Sequence, residues 1–143
     1  MKTLNERQLQ VHVPIAAWLL IATNGLNALV YLLTIALSLG APAYLLAGAL
    51  AFPTAMVLAA IPGLIAGLGL RAHKAWARFL GIVGVVVQMA GLAVAFLRDD
   101  LALPVLVVCA FVGIYTILVL MQNATANYLA SPKQRLETAP RHA

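Results

Sequence analysis

The stretch Ala77–Leu97, ARFLGIVGVVVQMAGLAVAFL, decides the fold. After Arg78 it carries no charge, and Gln88 is its only strongly polar side chain. At a helical rise of about 1.5 Å per residue, such a run reaches across the roughly 30 Å hydrocarbon core of a bilayer. Three similar runs accompany it, at about Pro14–Leu39, Ala43–Leu70 and Leu101–Met121. The last can continue as helix to Tyr128. Residues 1–13 then form a cytoplasmic N-terminal segment, 14–129 a single membrane domain, and 130–143 a loose polar tail.

Composition agrees with this reading. Of 143 residues, 64% are hydrophobic and 9% charged, against about 25% charged in an ordinary soluble domain. A soluble fold of this size could not cover so much apolar surface with so few charges. The expected class is all-α: a polytopic membrane protein, an antiparallel bundle of four transmembrane helices. The connections near Gly40-Ala41-Pro42, Arg71–Trp76 and Arg98-Asp99-Asp100 are short, so successive helices are expected to pack side by side and antiparallel. The first apolar run is too long for the core of a signal peptide, so it is expected to remain as a membrane anchor.

The net charge of +5 reads as a topology signal rather than a nucleic-acid footprint. Lys2, Arg7, Arg71, Lys74, Arg78, Lys133, Arg135 and Arg141 fall on one side of the bundle, and only Arg98 on the other. The Lys/Arg bias places both termini in the cytoplasm. Trp18, Trp76 and Tyr128 cluster towards that side, as interfacial aromatics do. Arg71, Lys74, Trp76 and Arg78 form a basic juxtamembrane cluster with an aromatic anchor. It acts as a topology determinant or, alternatively, as a contact for anionic lipid headgroups.

Helix faces carry the remaining information. Ala17, Leu20, Asn24, Asn27, Tyr31, Thr34 and Ser38 recur at a mean period of 3.5 and gather almost all polar side chains of the first span, Thr23 excepted. Ala77, Gly81, Gly84, Gln88, Gly91 and Ala95 form a matching seam of small residues in the third, with Val85 placed towards lipid or a looser contact. The second offers Gly48, Ala51, Ala55, Ala59, Pro62, Ala66 and Gly69, together with the small-xxx-small pair Gly63 and Gly67. The fourth offers Cys109, Gly113, Thr116, Leu120, Asn123 and Asn127.

Asn24 and Gln88 each lie about 15 Å from the basic side, with Thr116 at a similar depth. Asn24, Asn27, Tyr31, Gln88 and Thr116 are therefore the candidate intramembrane polar network, bonding to one another, to backbone carbonyls or to trapped water. Asn24 and Gln88 share this depth and both lie on inward seams, so a direct bond between them is one arrangement; in a carrier the two amides would serve a guest or water instead.

Catalytic chemistry finds no foothold. No Asp, Glu, Lys, Arg or His is placed deep in a span, where proton-coupled carriers keep one. His12, His73 and His142 have no ligand spacing between them, so no metal and no cofactor is expected. His12 reads as a solvated interfacial residue and Cys109 as a small packing residue. Asp99-Asp100 reads as a solvated turn. Pro53 and Pro62 read as packing kinks in the second helix.

Gly67-Leu68-Gly69-Leu70, then Lys74-Ala75-Trp76-Ala77-Arg78-Phe79-Leu80-Gly81-Ile82, and Gly113-Ile114-Tyr115 further on, resemble a pattern recurring in small bacterial four-helix membrane proteins. That resemblance implies the four-helix layout and a bacterial origin, and carries no activity with it. The expected role is a non-enzymatic integral protein of the bacterial inner membrane. It would serve as a structural or accessory subunit of a homo-oligomer or a larger membrane complex. The alternative is a carrier or channel for a small solute or lipid, built on Asn24, Asn27 and Gln88.

Overall fold

The computed structural model describes residues 6–40, 42–98 and 101–130. Among these residues there are five helices and no strand: α1 (Glu6–Ser38), α2 (Ala43–Arg71), α3 (Trp76–Leu97), α4 (Leu103–Met121) and α5 (Asn123–Ala130). The first four are long and apolar enough to cross a membrane. They pack in a ring, α1 on α2, α2 on α3, α3 on α4 and α4 back on α1, while α1 and α3 barely meet across the middle. The chain is thus an antiparallel bundle of four membrane-spanning helices. Lys2, Lys133, Arg135, Arg141 and His142, the Asp99-Asp100 turn and the tail from Ser131 lie outside the described residues.

Close approach of backbones holds the ring together. At Gly84 of α3 an added Cβ would stand 2.8 Å from the Gly63 nitrogen and 2.9 Å from its Cα. A Cβ on Gly63 would fall on the Asn24 carboxamide, and one on Gly67 would lie 2.9 Å from the Ala17 carbonyl oxygen. The two glycines of the small-xxx-small pair therefore receive α1 on one side, and Gly63 also receives α3. In a bilayer, where lipid is as apolar as leucine, such contacts supply much of the cohesion.

Several expected boundaries and faces need correction. Helix α1 begins at Glu6, so most of the segment expected to precede the span is helical, and Leu9 and Val13 are buried against the bundle. Pro14 lies inside this helix. In α2 the buried residues are Pro53, Met56, Ala60, Gly63, Ala66, Gly67, Gly69 and Leu70. Of the expected stripe, Gly48, Ala51 and Ala55 are exposed, Ala59 and Pro62 are half-buried, and Ala66 and Gly69 face inward as expected. Small residues occur all round this helix, so small size alone does not mark its inner side. In α3 the small seam is inward as expected, but Val85 is 3% exposed rather than lipid-facing. The helix has α2 on one flank and α4 on the other, so its buried arc is wider than one seam.

The fourth span stops where continuation was expected. Gln122 is extended (φ −67°, ψ 133°), and α5 starts afresh at Asn123. The break rotates the helical frame, so Thr125 and Leu129 turn inward while Asn123 and Asn127 are exposed. Two side chains take over the orphaned carbonyls at this end. Arg78 donates from Nε to Leu120 and, at 2.9 Å, from Nη2 to Met121. The Thr125 hydroxyl donates to the Val119 carbonyl at 2.7 Å.

The loop from α2 to α3 closes as a Schellman turn. Lys74 N–H donates to the Gly69 carbonyl at 2.9 Å and His73 N–H to that of Leu70 at 3.0 Å. His73 takes the left-handed position, φ 51°, that glycine usually fills.

Candidate ligand cavity

Packing is uneven along the bundle axis. At the end that carries Arg71, Lys74 and Arg78, here called the basic end, Leu9, Val13, Ala17, Leu20, Ala66, Leu70, Leu120 and Leu129 form a closed core. Towards the far end no residue of α1 beyond Asn24 is buried, and no residue of α4 before Gly113. Helices α2 and α3 stay packed there, with Pro53, Met56, Leu92 and Ala95 buried. The outer halves of α1 and α4 leave between them a cavity of about 540 Å³.

Its walls come from all four spans. Helix α1 contributes Thr23, Leu26, Asn27, Val30, Tyr31 and Thr34, and α2 contributes Gly48, Ala49, Phe52 and Pro53. Gln88 and Leu92 of α3, then Arg98, line one side; Leu101, Val105 and Cys109 line the other. Gln88 and Arg98 are ten residues apart, so the cavity runs along roughly 15 Å of α3. Three groups bridge the helices at the far end. Tyr31 meets Phe52 edge-on with ring centroids 5.8 Å apart, and the Arg98 guanidinium lies 4.7 Å from the centre of the same ring.

The inner end is polar and under-satisfied. Gln88 is 5% exposed and makes no hydrogen bond to the other described residues. The buried Nδ2 of Asn27 has no partner among them either. Hydroxyls nearby are already committed: Thr23 donates to the Leu19 carbonyl at 2.7 Å and Thr116 to that of Val112 at 2.8 Å. A buried polar group left unpaired costs about 1–3 kcal/mol. A second, smaller void of about 10 Å³ shares Thr23, Gln88 and Cys109 with the large one and adds Thr116. Its size is close to the space one water molecule needs.

The expected network is therefore divided. Asn27, Tyr31 and Gln88 come together around the cavity, and Thr116 joins Gln88 at the smaller void. Asn24, 0% exposed, lines neither. Its Nδ2 donates to the Leu20 carbonyl of its own helix at 2.9 Å, and its Oδ1 has no partner among the described residues. The α1 seam turns it towards α2, where Gly63 makes room for the carboxamide. Asn24 and Gln88 do not pair. Thr23, Phe52, Leu92 and Arg98 were missed as wall residues. Thr23 sits one position off the seam, and in the sequence Arg98 stands out only as the lone basic residue of its side.

At the basic end the polar groups are tied to protein. His12 Nδ1 and the Tyr115 hydroxyl are 2.7 Å apart, joining α1 to α4, so His12 is not the solvated residue expected. The Arg71 guanidinium lies 4.5 Å from the centre of the Trp18 ring, an attractive cation–π placement. Arg78 caps α4, Trp76 is half-exposed, and Lys74 is exposed. Among the described residues no three of His, Cys, Asp and Glu gather as metal ligands would. Comparison of the chain with models of protein families, with characterised proteins and with solved structures finds no match.

Proposed function

We propose that this protein is a non-enzymatic membrane protein that binds a small lipid-soluble molecule in the far half of its bundle, as a carrier or receptor. The cavity carries this reading. Its volume falls within the 300–1,000 Å³ range of small-molecule sites. Its make-up, mostly apolar walls with a few convergent polar groups, is that of a ligand pocket. A bundle held only by internal glue would be expected to close over Asn27 and Gln88 instead of leaving their amides without partners.

The orientation follows from charge: the basic end, with Arg7, Arg71, Lys74 and Arg78, faces the cytoplasm of a bacterial inner membrane. The cavity would then open towards the outer leaflet. Arg71, Lys74, Trp76 and Arg78 would meet anionic headgroups of the inner leaflet. A second reading, an accessory subunit of a homo-oligomer or larger complex, draws on the open side of the same cavity, where Thr34 of α1 is exposed. A helix from another chain would cover it.

Native mass spectrometry of the protein released from nanodiscs separates the two. A single chain with a retained small molecule, lost on Leu92→Trp, supports the binding reading. Stoichiometric partner chains without a retained molecule would replace it with the accessory reading.

A further inference from the structure

The geometry points to the kind of molecule the cavity takes: an uncharged amphiphile that enters with a carbonyl or hydroxyl group first. This rests on the binding reading above and adds the chemistry of the guest. The inner end presents two carboxamides, Asn27 and Gln88, each able to donate and to accept. Asn27 Nδ2 is buried and unpartnered, and Gln88 is 5% exposed and unpartnered among the described residues. Among the described residues no ionisable carboxylate, amine, guanidinium or imidazole lines that end. A charged head placed there would lose its hydration with nothing of opposite sign to meet it. A neutral oxygen would instead receive the amide hydrogens of Gln88 and, once the Asn27 carboxamide turns its buried Nδ2 towards the guest, those of Asn27.

The body of the guest is set by the walls. Leu26, Val30, Phe52, Leu92, Leu101 and Val105 give the cavity apolar walls between its inner and far ends. A simple acyl chain entering tail-first would satisfy these walls and leave both amides unpaired. The polar inner end therefore selects against a hydrocarbon tip and for a ring or chain tipped with oxygen. Arg98 stands at the other end, on Phe52, where it leaves the polarity of the trailing group open.

Benzophenone tests this in nanodiscs, because its ketone is both the proposed head and the photoreactive group. Irradiation followed by peptide mapping is expected to place adducts within Thr23–Thr34 and Gln88–Leu92. Two dark competitors of nearly the same shape then report the chemistry. Diphenylmethanol carries a hydroxyl and diphenylmethane does not. With bilayer partitioning corrected, the alcohol should block labelling at about one-tenth the concentration of the hydrocarbon, the factor that one net hydrogen bond supplies. The gap should close in Gln88→Leu and narrow in Asn27→Leu. The wild-type comparison stands even where a variant folds poorly. Equal competition with labelling still in the cavity would overturn the head-group assignment and leave the binding reading in place. Labelling confined to lipid-facing positions such as Phe79 and Phe111 would overturn both.

Discussion

Replacing Gly84 by alanine should loosen the bundle more than its one added carbon suggests. The new Cβ would stand 2.8 Å from the Gly63 nitrogen, 2.9 Å from Gly63 Cα and 3.3 Å from the Pro62 carbonyl carbon. These are backbone atoms of a helix and cannot rotate aside. Restoring an ordinary contact requires α2 and α3 to separate by about 0.6 Å at their crossing. Gly63 cannot retreat freely, since its other side holds the Asn24 carboxamide. Overpacking of this kind costs about 1–3 kcal/mol. Gly25→Ala is the control: its Cβ meets only Leu64 Cδ2, at 3.8 Å. Denaturant unfolding of both variants in mixed micelles measures the difference. A Gly84→Ala protein as stable as Gly25→Ala would refute the close crossing and the bundle geometry built on it.

Other perturbations report on separate contacts. His12→Leu and Tyr115→Phe should show a coupling of about 1 kcal/mol in a double-mutant cycle, a result that also requires residues before Pro14 to be packed helix. Arg78→Met should cost about 1–3 kcal/mol through the uncapped α4 carbonyls and speed hydrogen exchange at Asn123–Ala130; Arg78→Lys should recover little, lacking the planar fork. Asn24→Leu and Gln88→Leu should be additive to within about 0.5 kcal/mol, because Asn24 bonds its own helix; strong coupling in unfolding measurements would restore a direct pair.

The bundle was legible because membrane spans are written in composition and length. Nineteen charge-free residues after Arg78 admit few other structures, and short loops fix neighbours. Faces were legible only where a helix had contrast. The polar stripe of α1 and the glycine seam of α3 stood out against leucine and valine. In α2, alanine and glycine surround the axis, so the inner face waited on the contacts of Gly63 and Gly67. The break at Gln122 was hidden because its cause is distant in sequence: Arg78 supplies the cap that lets α4 stop. The cavity was hidden for a related reason. Asn27, Tyr31 and Gln88 share a side of the bundle by periodicity, but periodicity cannot say whether the helices close over that side. Closure depends on where the outer halves of α1 and α4 are held, and no residue of those halves is fully buried.

Cys109, the chain's single cysteine, lies on the cavity wall. Its reaction with N-phenylmaleimide in nanodiscs tests most directly whether the far half is open inside. Ala49→Trp would fill the cavity from the α2 wall, while Val108→Trp adds the same bulk at a neighbouring position that is 61% exposed on the outer surface. Ala49→Trp is expected to slow labelling strongly and Val108→Trp to leave it unchanged. The opposite pattern, with Val108→Trp protective and Ala49→Trp without effect, would mean that Cys109 is reached from lipid and that the space between α1 and α4 is closed.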